Sequence, residues 1–258
     1  MTVAAAQQLF ASDPARDPRF VVRSRWIDCD NLAGDHPLHQ LEFFHRQMNE
    51  EIDSLEASAQ SIADFSEAPW ELRLELARQC ADEARHARAY RARLERSGGH
   101  VGQFPVLNFQ YRIITAQKDL ISRLAIQNRT FEAGGLDAIE FGIAQAREGG
   151  LDDLAEFYAA QLADEISHVR FANAWIRRKL KEEPRTILRI GTALAAAAQA
   201  FRIVMGSEGT EGVEYPAAAQ ARRDAGFTEE EVIHVSELAA VKHAARHDIA
   251  VYPQPIET

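Results

Sequence analysis

Hydrophobic and polar positions follow a helical spacing along most of the chain. From Leu38 onward, long stretches rich in Ala, Leu, Glu and Arg contain few β-branched clusters, which favours helix. No segment alternates convincingly at period two. Short breaks containing Gly or Pro divide the pattern. The predicted helices are 38–64, 69–97, 107–133, 136–148, 152–182 and 185–205.

These lengths and short connections are typical of an all-α fold built on a helical bundle. A glycine-rich break at 206–212 precedes two further predicted helices. Thr228 and Glu231 have the spacing of a capping box at the start of the last helix. The predicted divisions are an irregular lead-in at 1–37, the bundle at 38–182 and a helical extension packed on it at 183–258.

Composition and charge narrow the classes of partner. The 258 residues are 46% hydrophobic, enough for a sizeable core, and 29 basic against 39 acidic residues give a net charge of −10. Phosphate contacts need clustered Lys and Arg, so this charge argues against general nucleic-acid binding and against anionic membrane surfaces. A local basic patch stays open.

Features of secretion and membrane insertion are not found in the sequence. Cys29 and Cys80 are too few for a disulfide framework. Residues 1–10 lack the basic and apolar regions of a signal peptide. The longest apolar stretch, around 192–201, is far shorter than the roughly 20 residues of a membrane span. We therefore expect a cytoplasmic protein.

The spacing Glu-x-x-His aims a carboxylate and an imidazole from one helix face at one point. Chance alone would give about one such pair in a chain this rich in Glu and His. The sequence contains it four times, at Glu42/His45, Glu83/His86, Glu165/His168 and Glu231/His234.

Turn placement distinguishes two of these pairs. In an antiparallel hairpin, two residues equidistant from the turn lie at the same height. Glu51 and Glu83 are centred on the break near residue 67, and Glu132 and Glu165 on the break near residue 149. The Glu42 and Glu231 pairs have no matching carboxylate. We therefore interpret those two pairs as surface coincidences.

The two hairpins together offer four carboxylates and two imidazoles, a hard, oxygen-rich set suited to two iron or manganese ions. Four carboxylates also balance the charge of two divalent ions. Such binding would move the net charge from −10 toward −6. The predicted ligands are Glu51, Glu83, His86, Glu132, Glu165 and His168.

Residues 40–182 resemble the ferritin-like superfamily of carboxylate-bridged di-iron proteins. The resemblance implies an all-α fold, a ferritin-like four-helix bundle with additional C-terminal helices. The resemblance is carried by Glu51-Ile52-Asp53-Ser54, Asp82-Glu83-Ala84-Arg85-His86, Phe131-Glu132-Ala133 and Asp164-Glu165-Ile166-Ser167-His168. It implies that Asp82 and Asp164 hold the ligating histidines, since metal-bound imidazoles donate their other N–H to a carboxylate. Gly102-Gln103-Phe104-Pro105-Val106 is similar to an uncharacterised branch grouped with tRNA-modifying hydroxylases.

Several further residues could bear on the site. Tyr90 and Tyr158 are candidates for a pocket in the bundle interior, although buried tyrosines are commonly core residues with a hydrogen-bonded hydroxyl. Gly134-Gly135 should break or bulge its helix, and such irregularities often mark functional sites. Glu50 should be exposed. Glu56 would replace Glu51 as the ligand only if the first helix had a different register.

Three functions stay open at this stage. The preferred one is a di-iron O2-activating oxidoreductase, an oxygenase, hydroxylase or N-oxygenase, with no catalytic residues beyond the metal ligands. Its cofactor would be two Fe ions, with Mn or mixed Mn/Fe as the alternative, O2 would be the co-substrate, and its substrate a small organic molecule. Within this first function, a tRNA-modifying hydroxylase is the alternative. The second function is a ferroxidase or iron-handling protein, and the third is a helical interaction protein without catalysis. An electron donor such as a reductase or ferredoxin, and a homodimeric state, are left open.

Overall fold

The computed structural model describes residues 16–210 and 215–244, with the backbone alone for 207–210 and 240–244. Within these residues the regular secondary structure is helical apart from two very short strands, which confirms the prediction of an all-α helical bundle. In chain order the elements are β1 (Val22–Arg23), a 3-10 helix (Trp26–Asp28), α1 (His39–Asp64), α2 (Trp70–Arg96), β2 (Val106–Leu107), α3 (Phe109–Thr115), α4 (Leu120–Ile126), a π-helical segment (Gln127–Glu132), α5 (Ala133–Glu148), α6 (Asp152–Glu182), α7 (Thr186–Thr210), α8 (Ala219–Asp224) and α9 (Glu229–Ala244).

Two antiparallel hairpins, α1–α2 and α5–α6, form the bundle. The turns between their helices lie at 65–69 and 149–151, where the sequence predicts them. One hydrophobic cluster draws Phe43 from α1, Tyr90 from α2, Ile139 from α5 and Leu154 from α6. All four helices thus share one core, which fixes the height of each helix relative to the others.

The region predicted as one helix, 107–133, is instead three consecutive segments. The side chain of Asp119 accepts hydrogen bonds from the backbone N–H of Ser122 at 3.0 Å and from its hydroxyl at 2.7 Å. Asp119 is therefore the N-cap of α4, and the predicted helix is interrupted between α3 and α4. The predicted break at Gly134-Gly135 is wrong, because α5 runs through both glycines and the irregularity is the π segment directly before it.

The lead-in is more ordered than expected. β1 pairs in parallel with β2, placing Val22 opposite Val106. Between them, Gly102 has φ +88°, and an added Cβ would lie 2.2 Å from the carbonyl oxygen of Arg19. Its N–H donates to Nε2 of His45 at 2.8 Å. The loop that contains Gly102 therefore fastens the lead-in to α1, and residues 1–15 lie outside the described part of the chain.

The C-terminal helices pack on the bundle. One stripe of α7, including Ala193 and Ala197, packs against Ile114 of α3 and Ile126 of α4. In α8, Arg222 forms a buried ion pair of 2.6 Å with Asp137 of α5. These contacts agree with the predicted extension, whose boundaries stay a prediction.

The capping box at the start of α9 is confirmed. The side chain of Glu231 accepts from the N–H of Thr228 at 2.9 Å, and its own N–H donates to the Thr228 hydroxyl at 3.3 Å. Reciprocal bonds of this kind satisfy two donors that the first turn of a helix leaves without partners.

One helix in the described part of the chain, at Thr186–Gly206, is long and apolar enough by length and composition to span a membrane. It is longer than the apolar stretch recognised from the sequence. About a fifth of it is buried in the protein. This is weak support for a span, and the cytoplasmic location stays a prediction.

Candidate metal centre

The six predicted ligands meet in the interior of the bundle, and each of them is buried. They form two groups in which one potential ligand atom per residue lies within 4.8 Å of the others. One group consists of Glu51, Glu83, His86 and Glu165, and the other of Glu83, Glu132, Glu165 and His168. This buried cluster of carboxylates and imidazoles could hold a metal ion.

Glu83 and Glu165 belong to both groups. Each carboxylate has two oxygens, so these two residues can face two adjacent cation positions at once. Glu51 and His86 complete one position, and Glu132 and His168 the other. The donor set fits two hard divalent cations, and the total carboxylate charge matches theirs.

Both imidazoles turn the same nitrogen toward the carboxylates. Nδ1 of His86 lies 3.2 Å from an oxygen of Glu51 and 3.2 Å from one of Glu83. Nδ1 of His168 lies 3.4 Å from Glu165. A nitrogen in that position is the one available to a cation.

The other imidazole nitrogen faces an aspartate from the opposite hairpin. Nε2 of His86 lies 3.1 Å from Asp164, and Nε2 of His168 lies 3.1 Å from Asp82. Arg85 donates to both aspartates. An Nε2–H that donates to aspartate leaves the Nδ1 lone pair directed at the cluster, which is the arrangement of a metal-binding histidine.

Two glutamines, which were not predicted from the sequence, also form hydrogen bonds between the two halves of the site. Gln161 donates to Glu51 at 2.8 Å, and Gln79 donates to Glu132. Each stands four residues before the Glu of its own Glu-x-x-His pair. The sequence does contain the signal, because Gln-x-Ala-Asp-Glu-x-x-His occurs at both 79–86 and 161–168.

The surroundings of the two lone glutamates differ. Glu132 is the last residue of the π segment, and Asn128 of the same segment donates to it at 2.7 Å. Ser54 donates to it at 3.1 Å, and Gln127 at 3.4 Å. In the described part of the chain, Glu51 accepts from Gln161 and faces the His86 ring. Because more side chains donate to Glu132, it is the more firmly fixed of the two carboxylates.

In the metal-free protein, several groups of the cluster hold protons near neutral pH. Burial raises the pKa of Glu132 to about 8, and the charge of Glu165 adds to this. Burial acts to lower the pKa of His86, but its hydrogen bonds to Glu51 and Glu83 outweigh burial and raise it to about 11. Burial acts to raise the pKa of Glu83, but the hydrogen bond to His86 and the charge of His168 lower it to about 2. Protons thus occupy a site where cations could replace them.

The other Glu-x-x-His pairs lie outside the cluster, but the expectation of surface positions is wrong for the first. Glu42 and His45 are buried, and Glu42 forms an ion pair of 3.0 Å with Arg46. Glu231 forms an ion pair with Arg129, and His234 is exposed. These residues serve packing and capping.

Glu56 also lies outside the cluster. It forms an ion pair of 2.9 Å with Arg16. Arg16 forms a second ion pair, of 2.6 Å, with Asp53. The structure therefore has the register in which Glu51 faces the interior.

A cavity of about 400 Å³ adjoins the cluster. Tyr90 is part of its wall, and the Tyr90 hydroxyl donates to Gln161 at 2.9 Å. Tyr158 lies instead in the hydrophobic cluster beside Phe157, and it does not line this cavity. Gly134 and Gly135 also line the cavity, and a Cβ added to either would meet no atom within 4 Å. The wall further includes Phe201 of α7 and Tyr215, which lie after the bundle in sequence.

The comparison with known proteins assigns the chain to a family without assigning an activity. No curated protein gives a significant match. Residues 3–233 match a family described as a protein of unknown function, DUF455. This match covers most of the chain and includes every residue of the buried cluster. The chain therefore belongs to the DUF455 family.

Proposed function

We propose that the protein is a di-iron oxidoreductase that uses O2 to oxidise a small organic substrate. The observation that carries the proposal is the pair of overlapping ligand groups, joined through Glu83 and Glu165, beside a cavity of about 400 Å³. Two ferrous ions, when bound, would supply the electrons that reduce O2. Mn or a mixed Mn/Fe pair would fit the same donor set.

The residues of the chain would hold and shield the reacting groups. Glu51, Glu132 and the two histidines would each serve one metal position, while Glu83 and Glu165 would serve both. Asp82 and Asp164 would keep the Nε2 protons of the histidines in place. The aromatic and glycine wall of the cavity would position the substrate and exclude bulk water.

Metal content tests the site. The Glu132→Ala, Glu165→Ala double variant is expected to lose most of the iron that the wild-type protein binds. The variant removes Glu132, a ligand of one metal position, and Glu165, a ligand of both. The matched control is the Glu140→Ala, Glu156→Ala double variant, which removes one exposed carboxylate from α5 and one from α6.

Glutamine at positions 132 and 165 preserves side-chain volume, and circular dichroism reports whether each variant folds. Equal iron in a folded Glu132→Gln, Glu165→Gln variant and in the wild-type protein would exclude the proposed centre.

O2 consumption separates the candidate functions. The ferrous protein is mixed with O2 and excess Fe(II), without organic substrate. Uptake limited to about one O2 per centre is expected for the proposed oxidoreductase. Many turnovers on iron alone would instead identify a ferroxidase.

The cavity wall also bears on the tRNA alternative. Arg46 is the one basic residue among the described residues that line it, whereas the carboxylates there include Glu50 as well as the cluster. Binding the sugar–phosphate backbone of tRNA needs several basic contacts. The wall therefore favours a small molecule over tRNA.

A further inference from the structure

Glu50 stands next to the ligand cluster but takes no part in it. The side chain lines the same cavity as Glu51 and is about one-third exposed. The expectation that Glu50 is a solvated surface residue is thus met only in part. A carboxylate in a cavity wall attracts a cation unless a basic neighbour already neutralises its charge.

That neutralisation is incomplete. Arg46 lies 3.4 Å from Glu50 but only 3.0 Å from Glu42, which is buried and does not line the cavity. One guanidinium therefore serves two carboxylates and leaves one negative charge in excess. Gln47 donates to Glu50 at 2.9 Å, which orients the carboxylate without adding charge.

The same guanidinium also lines the cavity, and two aromatic rings lie against it. It lies 5.5 Å from the ring centre of Phe43 and 5.9 Å from that of Trp26. Cation–π contacts of this kind hold Arg46 against the protein. Each oxygen of the Glu50 carboxylate accepts one hydrogen bond, from Arg46 or from Gln47, and, with two lone pairs, can accept another from a donor in the cavity.

Aromatic rings form another part of the wall. The ring centres of Phe109 and Phe201 are 5.7 Å apart, and those of Phe109 and Phe131 are 6.0 Å apart. Tyr215 also lines the cavity. A ligand with an apolar body and a cationic end matches this combination.

We propose that the cavity binds a small organic amine in its protonated form. The ammonium N–H groups donate to the carboxylate of Glu50, and the apolar body lies against Phe109, Phe131 and Phe201. This inference rests on the proposed function in that it names the substrate class of the same site, and it concerns the binding step alone.

A matched pair of probes tests the inference. The amine 3-phenylpropan-1-amine and the alcohol 3-phenylpropan-1-ol share their apolar body and differ in charge. Binding to the iron-loaded protein is measured without O2 by calorimetry. We expect the amine to bind at least tenfold more tightly than the alcohol.

Glu50→Gln is expected to weaken amine binding about tenfold and to leave alcohol binding unchanged, because the variant removes charge and keeps shape. Glu156→Gln removes an exposed carboxylate elsewhere and should change neither affinity. Equal binding of the two probes, or unchanged amine binding by a Glu50→Gln protein with wild-type iron content, would overturn the inference.

Failure of this inference and failure of the proposed function give different results. A protein that holds iron and consumes O2 but binds both probes equally retains its proposed function and loses the amine assignment. A protein that holds no iron loses the proposed function, and the Glu50→Gln comparison in the metal-free protein still decides the amine assignment.

Discussion

Asp82 and Asp164 control the histidines of the cluster from opposite hairpins. Asp82 accepts from Nε2 of His168, and Asp164 accepts from Nε2 of His86. Both aspartates also accept from Arg85. A carboxylate in this position fixes the tautomer and the ring orientation, and it makes the facing nitrogen more basic. The two aspartates therefore contribute to the site although they do not belong to either ligand group.

Replacing Asp82 or Asp164 with Asn is expected to weaken metal binding about 10- to 100-fold, because the amide does not stabilise the imidazole as a carboxylate does. Anaerobic titration with Fe(II) measures the dissociation constant. Asp153→Asn, an exposed position on α6, is the control and should bind as the wild-type protein does. Unchanged affinity in both aspartate variants would contradict a role in holding the histidines.

Single residues show what the sequence could predict of the site. The positions of Glu51 and Glu132 can be predicted from helix periodicity and turn placement, which are properties of the sequence. Gln79 and Gln161 were within reach as well, since both belong to a repeated eight-residue pattern. The role proposed for Glu50 could not be predicted from the sequence, because it depends on how the Arg46 guanidinium is shared between Glu42 and Glu50.

At the scale of elements, the π segment 127–132 aims Glu132 into the cluster. A π turn contains one residue more than an α turn, so it rotates the helix after it relative to the helix before it. Sequence periodicity predicts a helix at 127–132, but it cannot show that one turn of that helix contains an extra residue. The predicted break at the glycines after Glu132 came from local propensity, which the packing of the bundle overrides.

Deletion of the exposed Thr130 is expected to restore an α-helical register and to turn Glu132 by about 100° relative to α4. The variant should keep most of its helical circular dichroism and lose iron from the position served by Glu132. Thr130→Ala preserves the residue count and is the matched control. Full iron content in a folded deletion variant would mean that the π turn does not position Glu132.

Two glycines should respond to alanine in opposite directions. Gly135 lies in α5 beside open space, so Gly135→Ala should stabilise the fold by about 0.5–1 kcal/mol. Gly102 has φ +88° and faces the Arg19 carbonyl, so Gly102→Ala should destabilise it. Thermal unfolding measures both changes, and a shift of the same sign in both variants would contradict this assignment.

At the scale of the whole molecule, the cluster links stability to pH. In the folded, metal-free protein Glu132 has a pKa of about 8 instead of 4.5, and His86 has one of about 11 instead of 6.5. Between pH 6.5 and 8 both groups hold protons that unfolding releases. A higher pH therefore favours the unfolded chain in this window.

The melting temperature of the metal-free protein should fall between pH 6.5 and pH 8, and calorimetry after chelation measures it. Metal ions replace the protons, so the loaded protein should show a smaller fall. Glu132→Gln, which is neutral throughout, should also reduce the fall. A melting temperature that rises across this window would contradict the direction of these pKa shifts.

The crossed hydrogen bonds have a consequence for the order of assembly. Each hairpin carries one lone glutamate and one Glu-x-x-His pair, yet the aspartate and glutamine that orient these groups belong to the other hairpin. A hairpin folding alone lacks the aspartate and the glutamine that complete the orientation of its ligands, and each of the two ligand groups includes residues from both hairpins. A metal ion at the proposed centre would therefore be bound tightly only after the two hairpins have docked, and it could not nucleate the folding of either hairpin alone.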